Sequence, residues 1–237
     1  MPKIHEKGFE FSYNFTMENG IKRNFIIKLS PDKLKLITDP KKNLPEWTKL
    51  DYNKCPNCPL DASIDEYCPV AVAIIDILDF FNESISFENV EVRLDTSERS
   101  YLKRTNLQSG VSSILGIFMV TSGCPILDNL RPMVRFHLPF ATIEETIFRS
   151  ISMYLVKQYL LHKKGEVPDW DLDGLTKIYN EIHIVNRAFH KRLLHMKGQD
   201  ANLNALVILD NFANYINFVL DFKKLTNIER LFNELNS

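Results

Sequence analysis

The first fifth of the chain shows the alternation of apolar and polar positions that is typical of β-strands. Residues Phe9 to Met17 and Ile21 to Leu29 are rich in Phe, Tyr, Thr and Ile, and Glu18-Asn19-Gly20 between them is typical of a hairpin turn. A third short strand is predicted at about Lys33 to Thr38. We therefore expect residues 1–50 to form a β-rich N-terminal part.

A second strand pair is predicted between residues 88 and 105. Val90, Val92 and Leu94 alternate with charged residues, and the segment after the turn at residues 95–97 can return antiparallel. Together with the N-terminal strands, this pair gives about five strands. We expect them to form one antiparallel sheet.

The rest of the chain has helical periodicity. Nearly every position from Pro69 to Phe81 is apolar, and proline suits the first position of a helix. Thr142 and Glu145 form a capping box, which predicts the start of another long helix. We therefore expect an α+β protein in which the N-terminal sheet packs on a larger C-terminal helical portion. The cysteine-containing, mainly helical part spans residues 51–237, and both parts are expected to form one integrated domain.

Size and charge narrow the function classes. A chain of 237 residues can bury a sizeable core without disulfides or metals to hold it together. Its 29 Lys and Arg against 30 Asp and Glu give a net charge of −1, so no overall field favours nucleic acid. The N-terminus lacks the apolar stretch of a secretory signal, and no apolar run approaches the length of a membrane span. We expect a cytoplasmic protein with no nucleic-acid or membrane partner.

The chain has four cysteines, and a proline follows each of them directly: Cys55, Cys58, Cys68 and Cys124. Proline pushes the preceding residue toward extended backbone, so each cysteine is expected at a turn or just before a helix. In a reducing compartment such cysteines favour metal ligands or reactive thiols over structural disulfides.

Four thiolates that converge would suit a zinc ion or a 4Fe–4S cluster, with a structural or redox-sensing and regulatory role. The spacing of the cysteines does not choose between the two. Pro59 argues against an ordinary zinc knuckle, where the residue after the second cysteine usually needs positive φ. Two alternatives remain open. The thiols can be inert buried groups without metal, or Cys55 and Cys58 can perform thiol–disulfide chemistry, which Pro59 disfavours.

A second candidate site precedes the Thr142 cap. Arg131, Arg135 and His137 are candidates for an anion pocket, because free amides at a helix N-terminus favour negative charge. Such a pocket would bind a small anionic ligand, and it is the basis of the alternative that the protein is an enzyme. The competing interpretation is that these charges pair at the surface.

Three further features have ordinary structural interpretations. Asp169 to Gly174 imitates the start of a calcium loop, but Asp171 or Asp173 is expected to cap the next helix instead. Asn186 lies on an apolar helical stripe and is expected to be a hydrogen-bonded core residue. The helix from Ala201 to Phe222 is rich in Phe and Leu, which makes a homodimer through the C-terminal helices a third functional hypothesis.

Four segments carry a resemblance to known sequences: CPNCPL at residues 55–60, CPVA at 68–71, TSGCP at 121–125 and RFHLPFAT at 135–142. They resemble those of an uncharacterised family of bacterial proteins, and the resemblance covers most of the chain. It implies a bacterial, cytoplasmic setting and adds no mechanism.

Overall fold

A computed structural model describes residues 8–221 and 225–233. Its five strands form one antiparallel sheet in the order β3-β2-β1-β4-β5. The predicted α+β fold, with about five strands that include the second pair, is confirmed. The strands are β1 (Phe9–Met17), β2 (Lys22–Leu29), β3 (Leu36–Ile37), β4 (Asn89–Asp95) and β5 (Ser100–Asn106).

One α-helix lies between β3 and β4, and the other α-helices follow β5 and fill most of the second half of the chain. The α-helices are α1 (Pro69–Phe80), α2 (Leu107–Thr121), α3 (Arg131–Val134), α4 (Ile143–Lys163), α5 (Asp173–Leu194), α6 (Asp200–Asp221) and α7 (Thr226–Asn233). Two short 3₁₀ helices lie at Glu46–Thr48 and Leu127–Leu130.

One face of the sheet is buried because alternate residues of each central strand are apolar. Tyr13 pairs with Phe25 on β2 and with Leu94 on β4, and all three side chains are buried. The helices α1 and α2 cover this face, and a cluster of aromatic rings that includes Phe15 and Phe81 fills the space between them. The alternation that predicted the strands therefore also marks the face toward the core.

Helix α2 lies close to the sheet at Gly110. A Cβ atom at this position would lie 2.9 Å from Val92 Cγ2 and 3.0 Å from Phe15 Cε1. Both distances are shorter than side chains tolerate, so the absence of a side chain lets α2 approach the sheet. The other side of α2 packs against α6, so α2 is shared between the sheet layer and the helical layer.

The long helix α6 is the centre of the helical layer and packs along α5 and α2. Its segment Asp200–Leu220 is long and apolar enough to cross a membrane by length and composition. A core helix of a folded domain passes the same test, and α6 buries Ala205, Leu206 and Ile216. The absence of a membrane partner stays a prediction.

The dimer hypothesis also stays a prediction. Tyr215 and Phe218 on α6 are each 45% exposed, and their rings lie 6.1 Å apart. Phe212 instead lines an internal cleft. Phe222, the last residue of the predicted helix, lies outside the described residues.

The start of α5 differs from the prediction. Neither Asp171 nor Asp173 caps the helix; the N-cap position belongs to Leu172, whose φ is 67°. The carboxylate of Asp169 accepts hydrogen bonds from the Gly174 amide (2.7 Å) and from the Tyr154 hydroxyl (2.7 Å). An aspartate one turn further back does the capping because the left-handed residue turns the chain before the helix begins.

Candidate functional site

The loop that carries the first two cysteines is closed by a short antiparallel bridge. The Cys68 amide donates to the Thr48 carbonyl (2.8 Å), the Leu50 amide donates to the Glu66 carbonyl (2.9 Å), and Lys49 pairs with Tyr67. The Thr48 side chain is buried. The bridge brings the two ends of the segment 50–66 together, which returns the first two cysteines to the neighbourhood of the third.

Cys55 and Cys58 form a tight turn in which the Cys58 amide donates to the Cys55 carbonyl at 3.0 Å. Between them, the side-chain amide of Asn57 donates to the Glu181 carboxylate (2.6 Å) and to its backbone carbonyl (3.0 Å). Because Glu181 belongs to α5, these bonds attach the turn to the helical layer.

Cys68 is the N-cap residue of α1, with extended backbone (φ −72°, ψ 119°) before Pro69. This is the conformation that proline imposes on the residue before it. The thiol makes no capping hydrogen bond. Burial raises its pKa, while the backbone amides of Ala71 and Val70 act in the opposite direction. The helix start therefore favours negative charge on this sulfur.

Cys124 has a similar setting after α2. The helix ends at Thr121, Gly123 follows with a φ of 99°, and the Cys124 carbonyl accepts the Asp128 amide at 3.0 Å. Burial raises the pKa of this thiol, and the amides of Leu127 and Ile126 oppose the rise. Two cysteines far apart in sequence thus occupy the same kind of position, at the start of a helical turn with amides near the sulfur.

The four thiols share one electrostatic neighbourhood. Burial raises the pKa of Cys55 to about 12, and the charges of Cys68, Cys58 and Cys124 add to this rise. Cys124 in turn is affected by Cys68 and Cys58. All four side chains pack on the same hydrophobic core. Without a cation among them, the Cys55 thiol is protonated at neutral pH.

Arg192 on α5 lies beside this group of thiols. The residue is 1% exposed, and its guanidinium donates to four carbonyls of the segment that leads to the cysteines: those of Trp47 (2.7 Å), Lys49 (2.8 Å), Leu50 (3.4 Å) and Asn53 (3.5 Å). Its positive charge lowers the pKa of Cys55 and of Cys68. Within residues 8–221 and 225–233, no carboxylate lies within ion-pairing distance of Arg192, and its buried Nε has no hydrogen-bond partner.

The described side chains do not form a ready metal site. In the part of the chain that the structure describes, no three His, Cys, Asp or Glu side chains are grouped so that they could hold a metal ion as they stand. The described cysteines are all free thiols. The four-cysteine metal centre therefore stays a prediction, and so does its occupant.

The predicted anion pocket has its residues in three different environments. Arg131 pairs with Asp128 at 2.6 Å, and the guanidinium of Arg135 lies 4.3 Å from the centre of the Phe9 ring. His137 Nε2 lies 2.6 Å from the Tyr13 hydroxyl, and burial lowers the pKa of His137 to about 3. Of the three, only His137 lines the cleft near α4. The small anionic ligand and the enzyme hypothesis remain predictions.

Sequence reasoning missed Arg192. The residue falls between Phe189 and Leu193 on the helical stripe that predicts the buried face of α5. A cation at a position where the periodicity demands an apolar residue is the signal that could have identified it. Asn186 is also a polar residue on this apolar stripe, and there the pattern predicts a hydrogen-bonded core amide.

Comparisons with known proteins place the chain in a family and add no activity. Neither the curated proteins nor the solved structures contain a match. A family model described as "Domain of unknown function (DUF6901)" matches residues 11–233. The bacterial origin and the cytoplasmic location stay predictions. The match covers nearly the whole chain, sheet and cysteines included, and the protein therefore belongs to the DUF6901 family of unknown function.

Proposed function

We propose that Cys55, Cys58, Cys68 and Cys124 hold a four-thiolate metal centre, which anchors the cysteine loop to the starts of two helical segments and has a structural or redox-sensing role. The buried guanidinium of Arg192 carries this proposal. A lone cation in the interior is costly, because desolvation disfavours the charged form and no opposite charge compensates for it.

A four-thiolate centre would supply the missing negative charge. Four thiolates around a divalent zinc ion leave a net charge of about −2, and a 4Fe–4S centre with four cysteine ligands is also anionic. Arg192 already lies close enough to Cys55 and Cys68 to affect their pKa values. The cation would then offset about half of the charge of the proposed anion in the same buried space.

The backbone around the outlying cysteines favours the same chemistry. Amides lie near the sulfurs of Cys68 and Cys124, where they stabilise thiolate over thiol. Amide donors near the sulfurs are also a means by which proteins tune iron–sulfur centres. A metal ion would reverse the mutual repulsion of the thiolates, and its binding would release their protons.

Pro59 favours a 4Fe–4S cluster over a single zinc ion, because it disfavours the backbone of a zinc knuckle. Tetrahedral zinc with bonds of about 2.3 Å would hold all four sulfurs within about 4 Å of one another. In a 4Fe–4S cluster each thiolate binds its own iron, so the sulfurs stand further apart.

Metal and sulfide analysis of the protein purified without oxygen tests the proposal. We expect iron and acid-labile sulfide in equal amounts, near four of each per chain, with a brown colour. One zinc ion per chain would support the four-thiolate centre, with zinc in place of the iron–sulfur cluster.

The variant Cys55→Ser tests whether the centre supports folding. We expect it to lose the metal and to unfold at a markedly lower temperature, because metal binding is linked to folding. Ala62→Ser is the matched control, since it places a serine at an exposed position of the same loop. Native protein without iron or zinc, together with a Cys55→Ser variant as stable as the control, would contradict the proposal.

A further inference from the structure

A cleft of about 380 Å³ lies within the helical layer, apart from the cysteines. Its walls come from α2, the segment between α2 and α4, the first turns of α4, and the facing sides of α5 and α6. This volume is at the small end of the range for ligand sites, which are usually apolar with a few polar groups.

The polar groups of the cleft are cationic or neutral. Lys103 and Arg149 line it, and none of its lining residues is Asp or Glu. Nη2 of Arg149 donates to the carbonyls of Met133 (3.1 Å) and Phe136 (2.9 Å), which fixes the guanidinium at the wall. No carboxylate among the described residues lies within ion-pairing distance of Arg149. Burial lowers the pKa of this guanidinium, so an anion beside it would be stabilising.

Burial and the nearby charge of Arg149 keep the imidazole of His137 neutral. The Tyr13 hydroxyl lies 2.8 Å from Ser113 Oγ and 2.6 Å from His137 Nε2. With the pKa of His137 lowered to about 3, the imidazole is uncharged at neutral pH and Tyr13 can donate to it. The positive charge at this end of the cleft therefore comes from Arg149 and Lys103.

The rest of the cleft is apolar. The part between α2 and α6 is lined by aliphatic and aromatic side chains, and Gly116 opens the wall of α2 there. The residues are Ile117, Val120, Leu127, Ile208, Leu209, Phe212 and Ile216. Such a surface favours a hydrocarbon body over water.

Asn186 adds a neutral polar group to the wall of the cleft, where it is 3% exposed. A polar atom of a bound molecule can hydrogen-bond to its side-chain amide.

We propose that the cleft binds a small amphipathic carboxylic acid, with its carboxylate at Arg149 and its apolar body between α2 and α6. A carboxylate matches the planar guanidinium and needs only one or two cations. An inorganic or sugar phosphate would leave the apolar walls without a partner. This site is independent of the proposed metal centre.

Calorimetric titration with three molecules of equal chain length tests the charge preference. The full-length protein is titrated with decanoate, 1-decanol and decylammonium. The two ions are kept below their micelle concentrations, and the alcohol is kept below its solubility limit. We expect decanoate to bind at least about tenfold more tightly than decanol, the range of one charge-assisted hydrogen bond, and decylammonium to bind weakest. Equal affinity for the acid and the alcohol, or no binding of decanoate, would overturn the proposal.

Variants locate the binding site. Arg149→Gln should lower decanoate affinity about tenfold or more and leave decanol affinity unchanged. Arg131→Gln is the control, because Arg131 pairs with Asp128 and does not line the cleft. Lys103→Gln, on an exposed strand position, gives the second test if Arg149→Gln does not fold, with a smaller loss expected. Gly116→Leu should weaken both ligands by filling the apolar part. Decanoate affinity that is unchanged in Lys103→Gln and in Gly116→Leu would place the ligand elsewhere and overturn the proposal.

Discussion

Two arginines on successive helices both hydrogen-bond to loop carbonyls, but they differ in how deeply they are buried. Arg192 on α5 donates to four backbone carbonyls of one loop and Arg149 on α4 donates to two of another, and neither has a carboxylate partner among the described residues. Arg192 is 1% exposed and lies beside four thiols, while Arg149 is partly buried and lines an open cleft.

The difference lies in where the compensating negative charge can come from. A fully buried cation is compensated by an anionic group of the protein itself or of a metal centre bound in it. The cysteines are the groups close enough to Arg192 to provide that charge. A cation at the wall of a cleft can be compensated by a molecule from solution. In this account, an arginine accompanies the proposed metal centre in one place and the proposed ligand site in the other.

The largest expected effect comes from Arg192→Met. Removing the guanidinium takes a donor away from the carbonyls of Trp47, Lys49, Leu50 and Asn53 and leaves the proposed centre without its counter-charge. We expect the free energy of unfolding to fall by about 3–5 kcal/mol, measured by denaturant titration. Metal content should fall with it.

Arg192→Lys separates charge from geometry at this position. Lysine keeps the positive charge but lacks the planar fork that reaches four carbonyls, so we expect partial recovery of both stability and metal content. If Arg192→Met is as stable as the native protein, the buried cation has no structural role and the comparison fails.

The second-largest expected effect is a loss of stability in acid, caused by His137 beside the cleft. The pKa of His137 is about 3 in the folded protein, below its ordinary value of 6.5. Between these two pH values the imidazole is protonated in the unfolded chain and neutral in the folded chain. The contribution of His137 to the free energy of unfolding is complete above pH 6.5. It is lost as pH falls toward 3, at up to about 1.4 kcal/mol per pH unit.

His137→Gln should flatten this acid dependence, which chemical unfolding at several pH values measures. His195→Gln is the matched control, since His195 is exposed. An unchanged slope in His137→Gln would show that another group is responsible.

Alkali should destabilise the cysteine region when no metal is bound. The folded pKa of Cys55, about 12, lies above its ordinary value of 9.0, so the unfolded chain loses its proton first as pH rises. The stability is complete below pH 9 and is lost between pH 9 and 12, by about 1–2 kcal/mol over the first part of this range. Cys55→Ala should remove this dependence.

Bound metal should change the sign of that alkaline effect. A metal ion requires thiolates, so its affinity rises as pH rises and protons become easier to remove. Competition with a chelator at two pH values measures this. Affinity that is independent of pH would argue against thiolate ligands.

Arg149→Met should have the smallest effect on the empty protein. The side chain is partly exposed and the carbonyls of Met133 and Phe136 can find water, so we expect a loss of about 1 kcal/mol in unfolding free energy. A loss as large as that of Arg192→Met would contradict the distinction between a sealed and an open site.

Local patterns were enough to predict the framework. Strand alternation located β1 and β2, and the capping box at Thr142 and Glu145 is present with both reciprocal hydrogen bonds. Proline predicted the extended backbone of Cys68 before α1. These features depend on near neighbours in sequence, which a pattern contains.

The site needed information that local patterns lack. Cys124 joins the neighbourhood of the other thiols only because α2 packs between the sheet and α6. The role of Arg192 depends on carbonyls about 140 residues away in sequence, as the contacts to Trp47 and Lys49 show. Capping by Asp169 depends on the positive φ of Leu172, a conformation that leucine rarely adopts.

X-ray absorption spectroscopy of the natively purified, oxygen-free protein tests the central claim most directly. It should show iron, or zinc in its place, bound by sulfur alone, with four cysteine sulfurs per centre. Iron should also show neighbouring iron atoms of a cluster. No bound iron or zinc, or a metal bound mainly by oxygen and nitrogen, would mean that the charge of Arg192 is not balanced by a four-thiolate centre.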